Sequence, residues 1–246
     1  MAGVGPEVRV FRDPDALHHA AADLVVQTAQ MAVGERGRFL LCLSGGKTPE
    51  GLYAVLAQSP HREQIAWQHV VAYWGDERCV PAEDLNSNYG RARDLLLGHV
   101  PIPAQNIHRV RTELDHDLAA DDYANLLRRH AEPPLDWPRF DLVLLGLGED
   151  GHVASLFPGI QPEPGRSTMV SKSTTPGPGP WRVSLTPAVF NSARTVAFLV
   201  QGEVKSKIVA SVLYGRSQAE QLPARQIHPE NGKLIWLLDA AAAGAA

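Results

Sequence analysis

The chain is poor in cysteine: only Cys42 and Cys79 occur among its 246 residues, and they lie far apart in sequence. Neither belongs to a C-x-x-C pair, so a disulfide framework and a zinc-ribbon pattern are excluded. No metal-ligand spacing is visible in the sequence, and we predict neither a metal nor a cofactor. Cys42 sits in an apolar run and is most simply interpreted as a small core residue.

Long apolar runs and positive charge are also scarce. No stretch approaches the roughly 18 apolar residues that a membrane-spanning helix needs, and Met1 to Val10 does not resemble a secretory signal. The formal net charge is −4, so nothing in the overall charge favours nucleic acid. We expect a cytoplasmic protein, a monomer or weak dimer, with a small molecule as partner and neither nucleic acid nor membrane. Any anion-binding site must be built locally.

Hydrophobic residues make up 44% of the chain, enough for one sizeable core, so we expect a single domain over residues 1–246. Short apolar runs alternate with helical patterns, which predicts an α/β fold with a mainly parallel, Rossmann-like sheet covered on both faces. The predicted strands are Phe39–Leu43, Val70–Trp74, Phe140–Leu145, Thr195–Val200 and Leu234–Leu238. The predicted helices are Pro14–Ala32, one from near Thr48 with Pro49 at its first position, Asn88–Leu97, Leu118–His130 and Lys205–Tyr214.

Pro162 to Pro180 is rich in Pro, Gly, Ser and Thr and is predicted to be a long loop. It fits either a mobile flap or a simple surface excursion, and the sequence does not choose between them.

Polar clusters follow the first three predicted strands, at the edge of a parallel sheet where ligands bind. The first cluster is Ser44, Gly45, Gly46, Lys47 and Thr48. Its glycines allow a close backbone approach, and the free N–H groups of the following helix favour an anion. The hydroxyls and the lysine add donors and charge, so a phosphate site is favoured over an ordinary strand-to-helix turn. The spacing differs from that of a Walker A loop.

The second cluster contains Asp76 and Arg78, with Asn86 and Asn88 shortly downstream. Arginine suits phosphate because its planar fork binds bidentately. The asparagines fit contacts to sugar hydroxyls or a helix cap. A turn with a local ion pair explains the same residues without any ligand, and both interpretations remain open.

The third cluster runs from Gly146 to His152 and matches G-x-G-x-x-G literally. A dinucleotide site would need an acidic residue about 20 positions on, at the end of the next strand. Met169 to Lys172 offers none, so this interpretation is disfavoured. His152 instead suggests a general base, because imidazole titrates close to neutral pH. Asp150 is near enough in sequence to orient it.

Two basic residues complete the candidates. Arg182 follows the predicted loop, and Lys207 lies on the helix after the fourth strand. Either could add positive charge to the site, but each residue alone fits a solvated surface charge better.

Four segments, in order, resemble the 6-phosphogluconolactonase family, within a wider group that includes glucosamine-6-phosphate deaminases. They are Leu43-Ser-Gly-Gly-Lys-Thr-Pro49, Trp74-Gly-Asp-Glu-Arg-Cys-Val-Pro81 with Ser87-Asn-Tyr89, Gly146-Leu-Gly-Glu-Asp-Gly-His-Val-Ala-Ser-Leu-Phe-Pro-Gly159, and Gly202-Glu-Val-Lys-Ser-Lys207. The resemblance implies a three-layer αβα fold, metal-independent hydrolysis of 6-phospho-D-glucono-1,5-lactone, and the second step of the oxidative pentose phosphate pathway.

The resemblance also implies roles for individual residues. It makes His152 the general base. It places Ser44, Gly45, Gly46, Arg78 and Lys207 around the phosphate, and Asp76 and Asn88 near the sugar or supporting the site; Arg182 matches a family arginine of less certain role. Two alternatives remain: a deaminase or isomerase on a sugar phosphate, and a non-catalytic sugar-phosphate sensor. The deaminases carry an acidic residue where Phe157 stands, and sensors usually carry a DNA-binding segment, which is not visible here.

Overall fold

The computed structural model describes residues 5–160, 169–174, 179–215 and 222–245. In chain order, its strands are β1 Glu7–Phe11, β2 Phe39–Leu43, β3 Val70–Trp74, β4 Asp76–Arg78, β5 Ile107–His108, β6 Leu142–Leu145, β7 Val170–Thr174, β8 Trp181–Leu185, β9 Thr195–Val200 and β10 Lys233–Asp239. Its α-helices are α1 Pro14–Arg36, α2 Lys47–Leu56, α3 His61–Gln64, α4 Asn88–Ala92, α5 His116–Arg129, α6 Pro187–Asn191 and α7 Ser206–Tyr214. No helix in this part of the chain is long and apolar enough to cross a membrane.

The main sheet has seven parallel strands in the order β1-β10-β9-β6-β2-β3-β5. Every residue of β2 and β6 is buried, because apolar side chains cover both faces of a central parallel strand. One apolar core lies between the sheet and α1 and α2, and the other lies between the sheet and α5 and α7. These layers confirm the predicted α/β fold with helices on both sides of a parallel sheet.

The predicted elements differ from the structure mainly at their ends. The strand predicted from Phe140 begins at Leu142, and the helix predicted to end at Ala32 continues to Arg36. The helix predicted to start near Thr48 begins at Lys47, with Gly46 as N-cap, so Pro49 is its third residue rather than its first. The helix Asn88–Leu97 is α-helical only to Ala92, and Arg93–Leu97 forms a π-helical turn.

A second, three-stranded antiparallel sheet in the order β4-β8-β7 was not predicted. It corrects two expectations. Asp76–Arg78 is a short strand rather than a turn, and Val170–Thr174 is a strand inside the segment predicted to be a loop. Residues 162–168 and 175–178 of that segment lie outside the described residues, so the choice between flap and surface excursion remains untested.

Candidate active site

A cavity of about 430 Å³ opens at the carboxyl-terminal edge of the main sheet, where the chain segments following β2, β3, β6 and β9 meet. This is the edge at which parallel α/β sheets bind ligands. Ten of the residues predicted for the site line the cavity: Ser44, Gly45, Gly46, Lys47, Thr48, Asp76, Arg78, Asn88, His152 and Arg182. The other two, Asp150 and Lys207, are not among the lining residues. Thus three clusters that are distant in sequence contribute to one cavity.

The turn after β2 and the start of α2 line the cavity. Ser44 is buried and is clamped by Tyr53, whose hydroxyl accepts from the Ser44 N–H at 3.0 Å and donates to the Ser44 carbonyl at 2.6 Å. The α2 helix has no side-chain cap at Gly46, so its first N–H groups and its dipole remain available to an anion. Sequence reasoning missed Tyr53 because its role depends on the folded packing of α2.

Close packing joins this turn to the two other clusters. A Cβ atom on Gly45 would lie 1.8 Å from Oδ1 of Asn88, so only glycine fits there. On its other side, the Gly45 carbonyl oxygen lies 4.0 Å from the position of a Cβ on Gly146, at the start of the His152 turn. The turn after β2 is therefore the centre of the site.

Asp76 belongs to a buried hydrogen-bond network. Its Oδ2 accepts from the Ser155 hydroxyl at 2.6 Å, and its Oδ1 accepts from Nδ2 of Asn88 at 3.2 Å. Asn88 also donates to the Asp76 carbonyl at 2.9 Å. Asp76, Asn88 and Ser155 are all almost completely buried. The network links β4, the start of α4 and the His152 turn, and it gives Asp76 and Asn88 a clear structural role. The helix cap is Ser87, which accepts from the Gly90 N–H at 3.0 Å.

The fully buried side chain of Glu77 holds β4 against the start of α4. Its carboxylate accepts from the backbone N–H groups of Arg78, Asn88 and Tyr89 at 2.7, 2.8 and 2.7 Å. Burial raises the pKa of Glu77 to about 7 against the opposing effect of these three hydrogen bonds. Glu77 thus fixes the backbone of two cavity residues without lining the cavity itself.

Arg78 on β4 and Arg182 on β8 are direct neighbours on two paired strands. The antiparallel register of β4 and β8 pairs them directly, and both line the cavity. Arg78 donates to the Asn86 carbonyl at 2.7 Å, yet the Nε atoms of both arginines are buried without a hydrogen-bond partner among the described residues. Burial and the neighbouring charge of Arg78 lower the pKa of Arg182. Two adjacent cations with unsatisfied donors form a site that an anion would stabilise.

His152 and Asp150 form a hydrogen-bonded pair. Nδ1 of His152 lies 2.6 Å from Oδ1 of Asp150, which also accepts from the His152 backbone N–H at 3.1 Å. Burial acts to raise the pKa of Asp150, but the hydrogen bonds and charge of His152 outweigh it, so the pKa lies below its ordinary value. An ionised Asp150 accepts the Nδ1 proton, which leaves Nε2 of the imidazole as the proton acceptor. Asp150 therefore orients the His152 imidazole although it does not line the cavity.

Phe157 packs against the His152 imidazole. Its ring centroid lies 4.8 Å from that of His152, and the Arg182 guanidinium carbon lies 5.7 Å from it. Phe157 is almost fully buried. An apolar side chain thus occupies the position at which the deaminase branch was expected to carry a carboxylate.

Lys205, rather than Lys207, lines the cavity. It precedes α7 in a short 3-10 turn, and its Nζ lies 3.9 Å from Oε1 of Glu149. Lys207 is exposed on α7. Together the lining residues of the described chain include four cationic side chains and two carboxylates, so the cavity carries a local positive surplus in a chain of negative net charge.

One group among the described residues has donors close enough for a metal ion: Asp115, His116 and Asp117. None of them lines the cavity. The groups that do line it suit a different chemistry, in which a hydrogen-bonded imidazole activates water and cations hold a phosphate.

Comparison with known proteins places this site in a family. The family model for glucosamine-6-phosphate isomerases/6-phosphogluconolactonase matches residues 12–236, and the chain belongs to this family. It is 40% identical to the 6-phosphogluconolactonase of Homo sapiens, over 99% of this chain and 95% of that protein. It is 38% identical to the 6-phosphogluconolactonase of Synechocystis sp., over 96% of both chains. The structure of the 6-phosphogluconolactonase from Trypanosoma brucei superposes with a TM-score of 0.82 at 30% identity, covering 98% of this chain and 99% of that one.

Proposed function

We propose that the chain is a single-domain, cytoplasmic 6-phosphogluconolactonase, a monomer or weak dimer. It hydrolyses 6-phospho-D-glucono-1,5-lactone to 6-phospho-D-gluconate, the second step of the oxidative pentose phosphate pathway. The observation that carries this proposal is one cavity that holds both a half-buried arginine pair and a histidine oriented by a carboxylate. The names of the similar proteins from human and Synechocystis support the same reaction.

The phosphate anchors the substrate at one end of the cavity. Arg78 and Arg182 supply positive charge and guanidinium N–H donors at the cavity wall, and the uncapped start of α2, with Ser44 and Thr48, supplies further N–H and O–H groups. Lys205 takes the role that the family resemblance implied for Lys207, because Lys205 lines the cavity and Lys207 does not. Anchoring a remote group holds the lactone carbonyl in reach of a catalytic water.

His152 carries the chemistry. Its Nε2 removes a proton from water while Asp150 stabilises the imidazolium that forms. The water oxygen attacks C1 of the lactone, and backbone N–H groups of the lining turns stabilise the tetrahedral oxyanion. The intermediate collapses by breaking the bond between C1 and the ring oxygen, which receives the proton from His152. General-base assistance of this kind contributes about 10² to 10⁴ in rate.

Asp76 and Asn88 act mainly as supports in this scheme. Their side chains hydrogen-bond each other, and Asp76 also binds Ser155 on the His152 turn. They keep the base at a fixed distance from the phosphate anchor.

Phe157 disfavours the deaminase alternative. Ring opening and amine loss need acid–base help, and the buried Phe157 ring against His152 provides none. Release of ammonia from glucosamine 6-phosphate would reveal that activity.

The decisive assay follows acid release from freshly made 6-phosphogluconolactone above the spontaneous rate, with glucosamine 6-phosphate in parallel. We expect lactone hydrolysis by the wild type and loss of about 10²-fold or more in kcat for His152→Ala, with substrate affinity largely kept. His19→Ala, which removes an exposed histidine on α1, is the matched control. Hydrolysis no faster than the spontaneous rate would refute the proposed function, and near-normal kcat for His152→Ala would remove His152 from the mechanism.

A further inference from the structure

Gln201 lines the same cavity, although the sequence patterns did not single it out. It directly follows β9, the strand hydrogen-bonded to β6, which leads into the His152 turn. Its position at the carboxyl end of a strand is the one at which ligand-binding residues of parallel sheets occur. The side chain carries no charge, unlike the four cations of the cavity.

One end of the Gln201 amide is already bound. Its Oε1 lies 3.0 Å from Nε2 of His18, a residue of α1 that is 183 positions away in sequence. Burial lowers the pKa of His18, so the imidazole is neutral near pH 7 and donates from Nε2 to the amide oxygen. Nothing else among the described residues hydrogen-bonds the Gln201 side chain, so its two N–H donors are free to serve a ligand in the cavity.

The neighbouring helix leaves room for this contact. A Cβ atom on Gly51, in α2, would lie 2.2 Å from Cε1 and 2.4 Å from Nε2 of His18. Glycine within a helix destabilises the helix relative to alanine. This clash explains why α2 has glycine at position 51: any larger residue there would prevent the His18 ring from reaching Gln201.

The backbone next to Gln201 is fixed as well. The N–H of Gly202 donates to both oxygens of the buried Asp239 carboxylate, each at 3.0 Å. The backbone after β9 is thus held by β10 while the side chain is held by α1, and the amide has little freedom to turn away from the cavity.

We infer that Gln201 binds substrate by donating from its amide nitrogen to an uncharged oxygen of the sugar lactone, and that His18 is a positioning residue that acts through Gln201. The inference rests on the proposed lactonase function. An uncharged donor suits a hydroxyl or ring oxygen, because the cations of the cavity satisfy the phosphate. Gln201 would thereby select the orientation of the sugar ring between the phosphate anchor and His152.

The test begins with Gln201→Ala and Gln201→Glu, assayed for kcat/KM on 6-phosphogluconolactone and for the Kd of the product, 6-phosphogluconate, by calorimetry. A hydrogen bond to an uncharged partner is worth about 0.5–1.5 kcal/mol, so Gln201→Ala should lower kcat/KM and raise the Kd by about 2- to 12-fold. Gln201→Glu keeps the acceptor for His18 but loses the N–H donors. It should change kcat/KM and the Kd by at least as much as Gln201→Ala. Unchanged values in both variants would overturn the inference.

A double-mutant cycle then tests the role of His18. His18→Phe keeps an aromatic ring without a donor, and Gly51→Ala displaces the ring by the clash described above. Each should lower kcat/KM in the wild-type background and have no further effect in the Gln201→Ala background, since both act through the amide. An equal loss in both backgrounds would show that His18 does not act through Gln201.

Melting temperatures separate these effects from misfolding, and Gly51→Ala provides the test if His18→Phe does not fold. The measured Kd of 6-phosphogluconate tests the role of Gln201 separately from the proposed lactonase function. A wild type that binds 6-phosphogluconate but hydrolyses no lactone would refute the proposed function, whereas the Kd values would still decide the role of Gln201.

Discussion

Asp150→Asn tests the proposal that Asp150 helps His152 to act as a general base. The substitution removes the carboxylate charge that lies 2.6 Å from Nδ1 of the imidazole, while the amide keeps nearly the same shape. Two unit charges about 4 Å apart interact by about 1 kcal/mol in water and about 4 kcal/mol near a protein surface. The Asp150 side chain is 49% exposed, which favours the lower part of this range. We therefore expect kcat to fall by about 5- to 30-fold.

The Michaelis constant should change little, because Asp150 does not line the cavity. Formation of 6-phosphogluconate from fresh lactone, corrected for spontaneous hydrolysis, measures both constants. Asp94→Asn, which removes an exposed carboxylate that pairs with Arg93, is the matched control. A kcat within twofold of wild type, or a rise in KM without a fall in kcat, would refute the idea that Asp150 stabilises the imidazolium.

The remaining predictions concern the anion site, the metal requirement and stability. Arg78→Ala and Arg182→Ala should each raise KM by about 10- to 100-fold, and less for an unphosphorylated lactone; equal losses on both substrates would contradict a phosphate contact. Lys205→Ala should raise KM more than Lys207→Ala, because Lys205 lines the cavity and Lys207 does not. The reverse order would support Lys207 as the lysine that contacts the phosphate. EDTA should leave hydrolysis intact, and loss restored by metal would contradict the scheme. The pKa of Glu77 is raised from 4.5 to about 7 by folding, so between these pH values Glu77 is protonated in the folded state and ionised in the unfolded state. The free energy of unfolding in urea should fall between pH 5 and 7 by about 2–3 kcal/mol more than in Glu77→Gln, and parallel pH profiles would contradict this.

The main sheet could be predicted because its central strands are continuous apolar runs. Phe39–Leu43 and Val70–Trp74 occur with the predicted bounds, since burial on both faces leaves an unmistakable pattern. The edge strands gave no such signal. Glu7–Phe11 alternates valine with charged residues and is largely exposed, and Ile107–His108 has only two residues.

The second sheet could not be predicted for a different reason. β4 has three residues, with the sequence Asp-Glu-Arg, and it pairs with a strand about 100 positions later. Its stability comes from this distant pairing and from the buried Glu77 carboxylate, neither of which leaves a local pattern. The adjacency of Arg78 and Arg182 follows from that register and was equally invisible.

The location of the candidate site could be predicted, but not all of its members. Glycine-rich turns after buried strands indicated where a ligand binds, and the structure brings those turns together. The choice between Lys205 and Lys207 depends on where α7 begins, which sequence patterns fix only to within a few residues. The sequence does contain a signal for Gln201, because a polar residue directly after a buried strand indicates a position at the ligand-binding edge.

A crystal structure of the enzyme with 6-phosphogluconate would test most directly whether the arginine pair and His152 act on opposite ends of one sugar. The account predicts the phosphate within hydrogen-bond distance of Arg78 and Arg182, and the C1 carboxylate next to Nε2 of His152. A product molecule bound in the opposite direction, or with C1 out of reach of the imidazole, would contradict it.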